Sequence, residues 1–167
     1  MECRSEGNLV RRTATRVAVV IAASLALAGC ATAEPEQSAA PEGPNGYTLS
    51  ASLTDGSILW WDGGEESGLT DLILEDAGGR MFASCLGTGP LLCVGGTDEA
   101  RGALVIAPAG AERAVMHWYG QDVELVRGEH TSAESPPVFA GVMPPVVAEG
   151  TYSVEVFDGA GAVVMAQ

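Results

Sequence analysis

Four cysteines and two histidines carry most of the reactive chemistry open to this 167-residue chain. Cys85 and Cys93 have seven residues between them, around Thr88-Gly89-Pro90. That spacing is not a C-x-x-C redox motif, and neither histidine lies within twenty positions to complete a metal site. If Thr88-Gly89-Pro90 is a turn, a symmetric hairpin sets the two thiols opposite each other. The pair is therefore expected to form a structural disulfide, contributing roughly 2–3 kcal/mol by constraining the unfolded chain. His117 falls in a strand-like run, Val115-Met116-His117-Trp118-Tyr119, and is expected to face solvent or a polar partner. His130 falls in a loop, 128–137. A hydrolytic triad needs a positioned nucleophile, yet there is no Gly-x-Ser-x-Gly elbow, no Ser-x-x-Lys and no His-Glu-x-x-His. No catalytic residue and no cofactor is implied.

Two other groupings could bind something. Asp62, Glu65 and Glu66 share one Gly-rich loop, and Asp98-Glu99 follow Gly95-Gly96-Thr97. Ca²⁺ takes six to eight oxygens, often carboxylates and loop carbonyls, but the spacing fits no EF-hand loop. In so acidic a chain, such clusters are expected as solvated turns, and no metal site is assigned. The aromatic pairs Trp60-Trp61 and Trp118-Tyr119 each sit at the end of an expected strand. Strand neighbours point to opposite faces, so one member of each pair should be core and the other outside. The outer members are candidate contacts for a sugar or a protein partner.

The apolar and charged composition says where such a partner would be met. Val17 to Ala28 is twelve residues of Val, Ala, Ile, Leu and one Ser, preceded by Arg11, Arg12 and Arg16. A positive segment, a short apolar run and a small-residue exit make a secretory leader. A bilayer-spanning helix needs roughly 20 apolar residues, so this run is too short to remain as an anchor. Leu27-Ala28-Gly29-Cys30, closing the run, resembles the lipobox of bacterial lipoprotein precursors. The resemblance implies a diacylglyceryl group on the Cys30 thiol and cleavage between Gly29 and Cys30, discarding Cys3 with the leader. One acyl chain gives only reversible attachment, whereas two hold stably. The expected location is the cell membrane or outer envelope, lipid-anchored, with the domain on the extracytoplasmic side.

Without residues 1–29 the chain keeps four Arg, no Lys and 20 acids, formally −16. Neutralising phosphates takes clustered Arg or Lys, so nucleic acid is excluded as a partner. Anionic headgroups would repel the domain, which leaves the lipid on Cys30 as its contact with the membrane. Ala31 to Gly46 follows, with Pro35, Pro41, Pro44, three Glu and no apolar residue larger than Ala apart from proline. Such a composition is that of a disordered linker. Its sixteen residues reach about 50 Å extended in polyproline fashion, or roughly 20–24 Å as a coil.

The division is therefore 1–29 leader, 30–46 lipidated Cys and linker, and 47–167 domain. The domain alternates short apolar runs with Gly and acidic turn clusters, without a helical period. Strands are expected near 47–53, 57–61, 71–75, 80–86, 91–94, 103–107, 113–119, 123–127, 138–141, 151–157 and 162–165. Asp55-Gly56, Ala77-Gly78-Gly79, Gly120-Gln121-Asp122 and Asp158-Gly159-Ala160-Gly161 supply turns. Many short strands at this spacing predict an all-β fold, a small sandwich or a barrel. In the clearest strand Tyr152, Val154 and Val156 should face the core, alternating with Ser153 and Glu155. The closing hairpin, Gly150-Thr151-Tyr152 through Val154, Val156, Asp158 and Gly161, is loosely similar to immunoglobulin-like modules of bacterial surface proteins. That likeness implies a sandwich and no particular ligand.

The function expected is that of a lipid-anchored envelope protein whose β-domain is a non-enzymatic binding or structural module for an unidentified envelope macromolecule. The alternative is a small secreted hydrolase or a Ca²⁺-dependent ligand-binding protein.

Overall fold

A computed structural model describes residues 43–64, 68–129 and 134–167. The leader, Cys30, most of the linker, Glu65, Glu66 and His130 lie outside the described residues. The fold is all-β. Strands β1 (Thr48–Ser52), β2 (Ile58–Gly64), β3 (Leu69–Glu75) and β4 (Met81–Gly87) form a four-stranded antiparallel meander. The second sheet contains β5 (Leu91–Gly96), β6 (Arg101–Ile106), β7 (Ala111–Trp118), β8 (Gln121–Arg127), β9 (Val138–Met143), β10 (Tyr152–Asp158) and β11 (Val163–Ala166). Its spatial order is β11-β10-β7-β8-β9-β6-β5.

Three hairpins share one turn. At Leu53–Ser57, Asp76–Arg80 and Asp158–Ala162 the first N–H donates to the carbonyl four residues on. The fourth N–H donates back to the first carbonyl. The fourth residue is Gly56, Gly79 or Gly161, with φ of 86°, 77° and 82°. This is a type I turn closed by a left-handed glycine, the common three-residue hairpin loop. Aspartate reinforces all three: Asp55 Oδ1 accepts the Ser57 N–H, Asp76 Oδ1 the N–H groups of Gly78 and Arg80, and Asp158 Oδ1 those of Ala160 and Ala162.

β6 and β9 pair along their whole length, from Arg101↔Met143 to Ile106↔Val138. Both are nearly continuous apolar runs, the pattern of strands covered on both faces. Leu104 and Ile106 of β6, with Val138 and Ala140 of β9, pack against Leu59, Trp61, Leu72 and Leu74 of the four-stranded sheet. The alternate residues Ala103, Val105, Phe139 and Met143 face the other way. They pack against Ala114, Met116 and Trp118 of β7, Leu125 of β8, and Val154 and Val156 of β10. One two-strand wall therefore separates and serves two cores. Two glycines allow the close approach. A Cβ on Gly102 would stand 2.7 Å from Leu74 Cδ2, and one on Gly141 2.7 Å from Leu125 Cδ2.

The seven-stranded sheet curls into a half-barrel. β8 and β9 share only Val126↔Ala140 and Arg127↔Phe139, a short joint at which the sheet turns over. Its two outer strands are drawn together at the last residue. The Leu92 N–H of β5 donates to Gln167 Oε1 at 3.1 Å, and Gln167 Nε2 donates to the Pro90 carbonyl at 3.4 Å. Cys85 and Cys93 are disulfide-bonded, with Cα atoms 5.5 Å apart. They do not face each other across a ladder, however, because β4 and β5 belong to different sheets. The bridge joins the sheets at their corner, with Cys85 buried in the sandwich core.

Replacing both Cys85 and Cys93 by Ala is expected to lower unfolding free energy by roughly 2–3 kcal/mol in a denaturant titration. An unchanged midpoint would remove the corner bridge from the stabilising interactions. Gly102→Val is expected to cost about 1–3 kcal/mol by overpacking against Leu74 and Phe82. A neutral outcome in the same titration would contradict the close approach of the two sheets.

Candidate functional site

Of the two aromatic pairs, Trp118-Tyr119 has the expected inner and outer members, whereas Trp60-Trp61 does not. Trp60 and Trp61 are both buried, at 3% and 7% exposure. Trp61 points into the sandwich core. Trp60 lies on the opposite face of β2, but the chain entering the domain covers it. Gly43 sits so close that a Cβ there would be 2.7 Å from the Trp60 ring, and Pro44–Gly46, assigned to the linker on composition, forms a single 3-10 turn. The indole Nε1–H donates to Glu75 Oε2 at 2.7 Å. Neither tryptophan offers a surface to a partner. Trp118 is fully buried in the half-barrel core, and its Nε1–H donates to the Pro144 carbonyl at 2.8 Å.

Tyr119 is half-buried, and its backbone is unusual. It has φ 47°, and Gly120 has φ 84°. With Trp118 paired to Gln121, Tyr119-Gly120 is a two-residue hairpin loop with both residues left-handed. Such loops favour Asn-Gly or Asp-Gly, and a side chain as large as tyrosine there costs about 1–2 kcal/mol. The turn was expected one residue later, at Gly120-Gln121-Asp122. Tyr119 is held by its N–H bond to the Thr151 carbonyl at 3.1 Å. Its ring also stands edge-on to Trp118, centroids 4.9 Å apart at 83°.

Tyr152 completes the group. It was expected to be core because it alternates with Val154 and Val156, but it is the first residue of β10, at the rim, and is 46% exposed. Its ring lies 5.5 Å from Trp118 and 6.4 Å from Tyr119, inclined to the latter by 52°. The β9–β10 connection, tied to Trp118 at Pro144 and to Tyr119 at Thr151, exposes Val146 and Val147. Two tyrosines thus form an aromatic end to the half-barrel, seated on a buried tryptophan. Backbone strain kept at a surface aromatic is a pointer to function. The sequence signals were Tyr-Gly between two strands and the aromatic that opens β10.

His117 lies on the outer face of β7, close to this end. Its Nδ1 is 2.7 Å from Asp122 Oδ1 on β8, and its Nε2 is 3.2 Å from Glu155 Oε2 on β10. These bonds, led by that to Asp122, hold the imidazolium and raise its pKa above the ordinary 6.5. With both ring nitrogens facing carboxylates, the ring has none left to activate a hydroxyl. Elsewhere Asp62 and Asp71 stand directly opposite each other on β2 and β3. Tyr47 relieves the pair by donating its hydroxyl to Asp71 Oδ2 at 2.6 Å. Burial and then the Asp71 bond push the Tyr47 pKa up to about 12. Asp98 is paired with Arg101 at 2.9 Å. Among the described residues no three His, Cys, Asp or Glu side chains converge to hold a metal ion. The chain matches no protein-family model, no curated protein and no solved structure.

Because its folded pKa is raised, the stability contributed by His117 is fully present below the unfolded value near 6.5. It is lost as pH rises through the folded value. The stability difference between wild type and His117→Ala is therefore expected to be larger at pH 5.5 than at pH 9. A histidine ring resonance should titrate above 6.5 and shift downward in Asp122→Asn. A difference that grows with pH, or a ring titrating below 6.5, would contradict the cluster.

Proposed function

We propose that this chain is an exported lipoprotein precursor anchored through a diacylglyceryl group on Cys30, and that its β-domain is a non-enzymatic binding module on the extracytoplasmic side. The observation that carries the anchor is Leu27-Ala28-Gly29-Cys30 at the close of a twelve-residue apolar run behind three arginines. The Pro- and Glu-rich segment after it supports a tether long enough to lift the domain clear of the headgroups.

The binding role is supported by the tyrosine end of the half-barrel. Stability alone would favour Asn or Gly at position 119, and a polar residue would serve position 152 at the exposed rim. A large ring in a left-handed turn beside a second exposed ring instead suits contact with another molecule. The non-enzymatic reading draws on His117, whose two nitrogens are both engaged by carboxylates. The partner in this reading is a macromolecule of the envelope.

Mass spectrometry of the native product tests the anchor. Expected is an N-terminal Cys30 carrying a diacylglyceryl mass, with Cys30→Ser leaving an uncleaved, unmodified chain. A free thiol at Cys30, or a leader still joined to it in the wild type, would overturn the reading.

A further inference from the structure

We infer that the tyrosine end of the half-barrel receives a basic, arginine- or lysine-bearing segment of a partner protein. The inference rests on the reading of the domain as a binding module and names the chemistry that its exposed end selects. Tyr119 and Tyr152 present π faces inclined by 52° rather than one flat platform. The negative faces of such rings attract cations. Val146 and Val147, exposed in the connection that leads into Tyr152, offer apolar surface for the aliphatic stem of a long cationic side chain.

Charge complementarity selects the occupant. Asp122 follows Tyr119 by three residues across the turn, and Glu149 precedes Tyr152 by three. Both acids are exposed; Asp122 already faces the His117 imidazolium, whereas Glu149 stands at the rim as a carboxylate open to a partner. The β5–β6 turn lies at the same end of the sheet, because Arg101 pairs with Met143 just before Pro144, and it adds exposed Glu99. No counter-charge is spare for an anionic ligand. The chain has no lysine, all four arginines of the described residues are engaged, and the His117 imidazolium is held between Asp122 and Glu155. Arg80 pairs with Asp76, Arg101 with Asp98 and Arg127 with Glu112, while Arg113 lies 4.1 Å over the Phe157 ring. An anionic membrane surface would be repelled by the same carboxylates, so the apolar rim does not serve as a lipid-inserting loop.

The test uses the full lipidated protein in neutral detergent, titrated into dye-labelled peptides of alternating Gly-Arg, Gly-Glu and Gly-Ser. The Gly-Arg peptide alone is expected to bind, with affinity falling as salt rises. Tyr119→Gly, which suits φ 47°, and Tyr152→Leu should together weaken binding tenfold or more. Glu112→Gln with Glu129→Gln, at the opposite ends of β7 and β8, removes the same charge as Glu99→Gln with Glu149→Gln and should weaken it far less. Binding that ignores both tyrosine variants, or that falls equally with either acid pair, would reduce the effect to net charge and overturn the inference. If the Gly-Arg peptide fails while a neutral chitin oligosaccharide or an anionic vesicle binds in a Tyr152-dependent way, the basic partner is overturned and the binding module stands. If every probe fails, both fall.

Discussion

Two strands buried on both faces hold this domain together. Leu104, Ile106, Val138 and Ala140 look into one core while Ala103, Val105, Phe139 and Met143 look into the other. Neither the four-stranded meander nor the β7, β8 and β10 arm of the curled sheet can cover its apolar face without that wall. Fully burying a side chain such as Leu104 or Phe139 is worth roughly 1.5–3 kcal/mol. The wall concentrates several of them within twelve residues. It tolerates few side chains larger than those present, because Gly102 and Gly141 are placed where leucines from the two layers press closest.

The wall also positions the end of the half-barrel. β9 leaves it at Met143, and the next carbonyl, Pro144, accepts the Trp118 indole N–H. That bond ties the β9–β10 connection to β7 and gives Tyr119 and Tyr152 a rigid base. The opposite constraint acts on the outer strands. β5 is fixed at one side by the Cys85–Cys93 bridge to β4 and at the other by the Gln167 side chain, so the curl is closed by a side-chain amide instead of a ladder. The surface at the tyrosine end therefore belongs to a scaffold pinned from three directions.

Most of the fold was legible because strand and turn chemistry are local. The alternation of Val154 and Val156 with Ser153 and Glu155, and aspartate–glycine turns such as Asp158 to Gly161, mark β10 and β11 without reference to the rest of the chain. The division into two sheets was not legible. A disulfide between Cys85 and Cys93 has the same spacing whether β4 and β5 pair in one sheet or meet at a corner between two. Burial at sheet ends escaped for a related reason. Tyr152 keeps the core phase of its strand yet lies past the core's edge, while Trp60 has the outer phase but is covered by Gly43 to Tyr47. Tyr119 was legible as an outer aromatic, but its place in the turn was not, since a bulky aromatic is a poor sign of a left-handed residue. The Asp122–His117–Glu155 cluster needs three strands in register, which no local pattern encodes.

The claim that one wall serves both cores is tested most directly by native-state hydrogen exchange. The amides of Leu104, Val105, Phe139 and Ala140 should be among the slowest in the domain and should exchange at the global unfolding free energy. Those of Leu59 and Leu72 in one sheet, and of Met116 and Val154 in the other, should open with them as one cooperative unit. A four-stranded sheet that exchanges through its own, much cheaper opening while β6 and β9 stay protected would contradict it, because half the cover of the wall would then be dispensable.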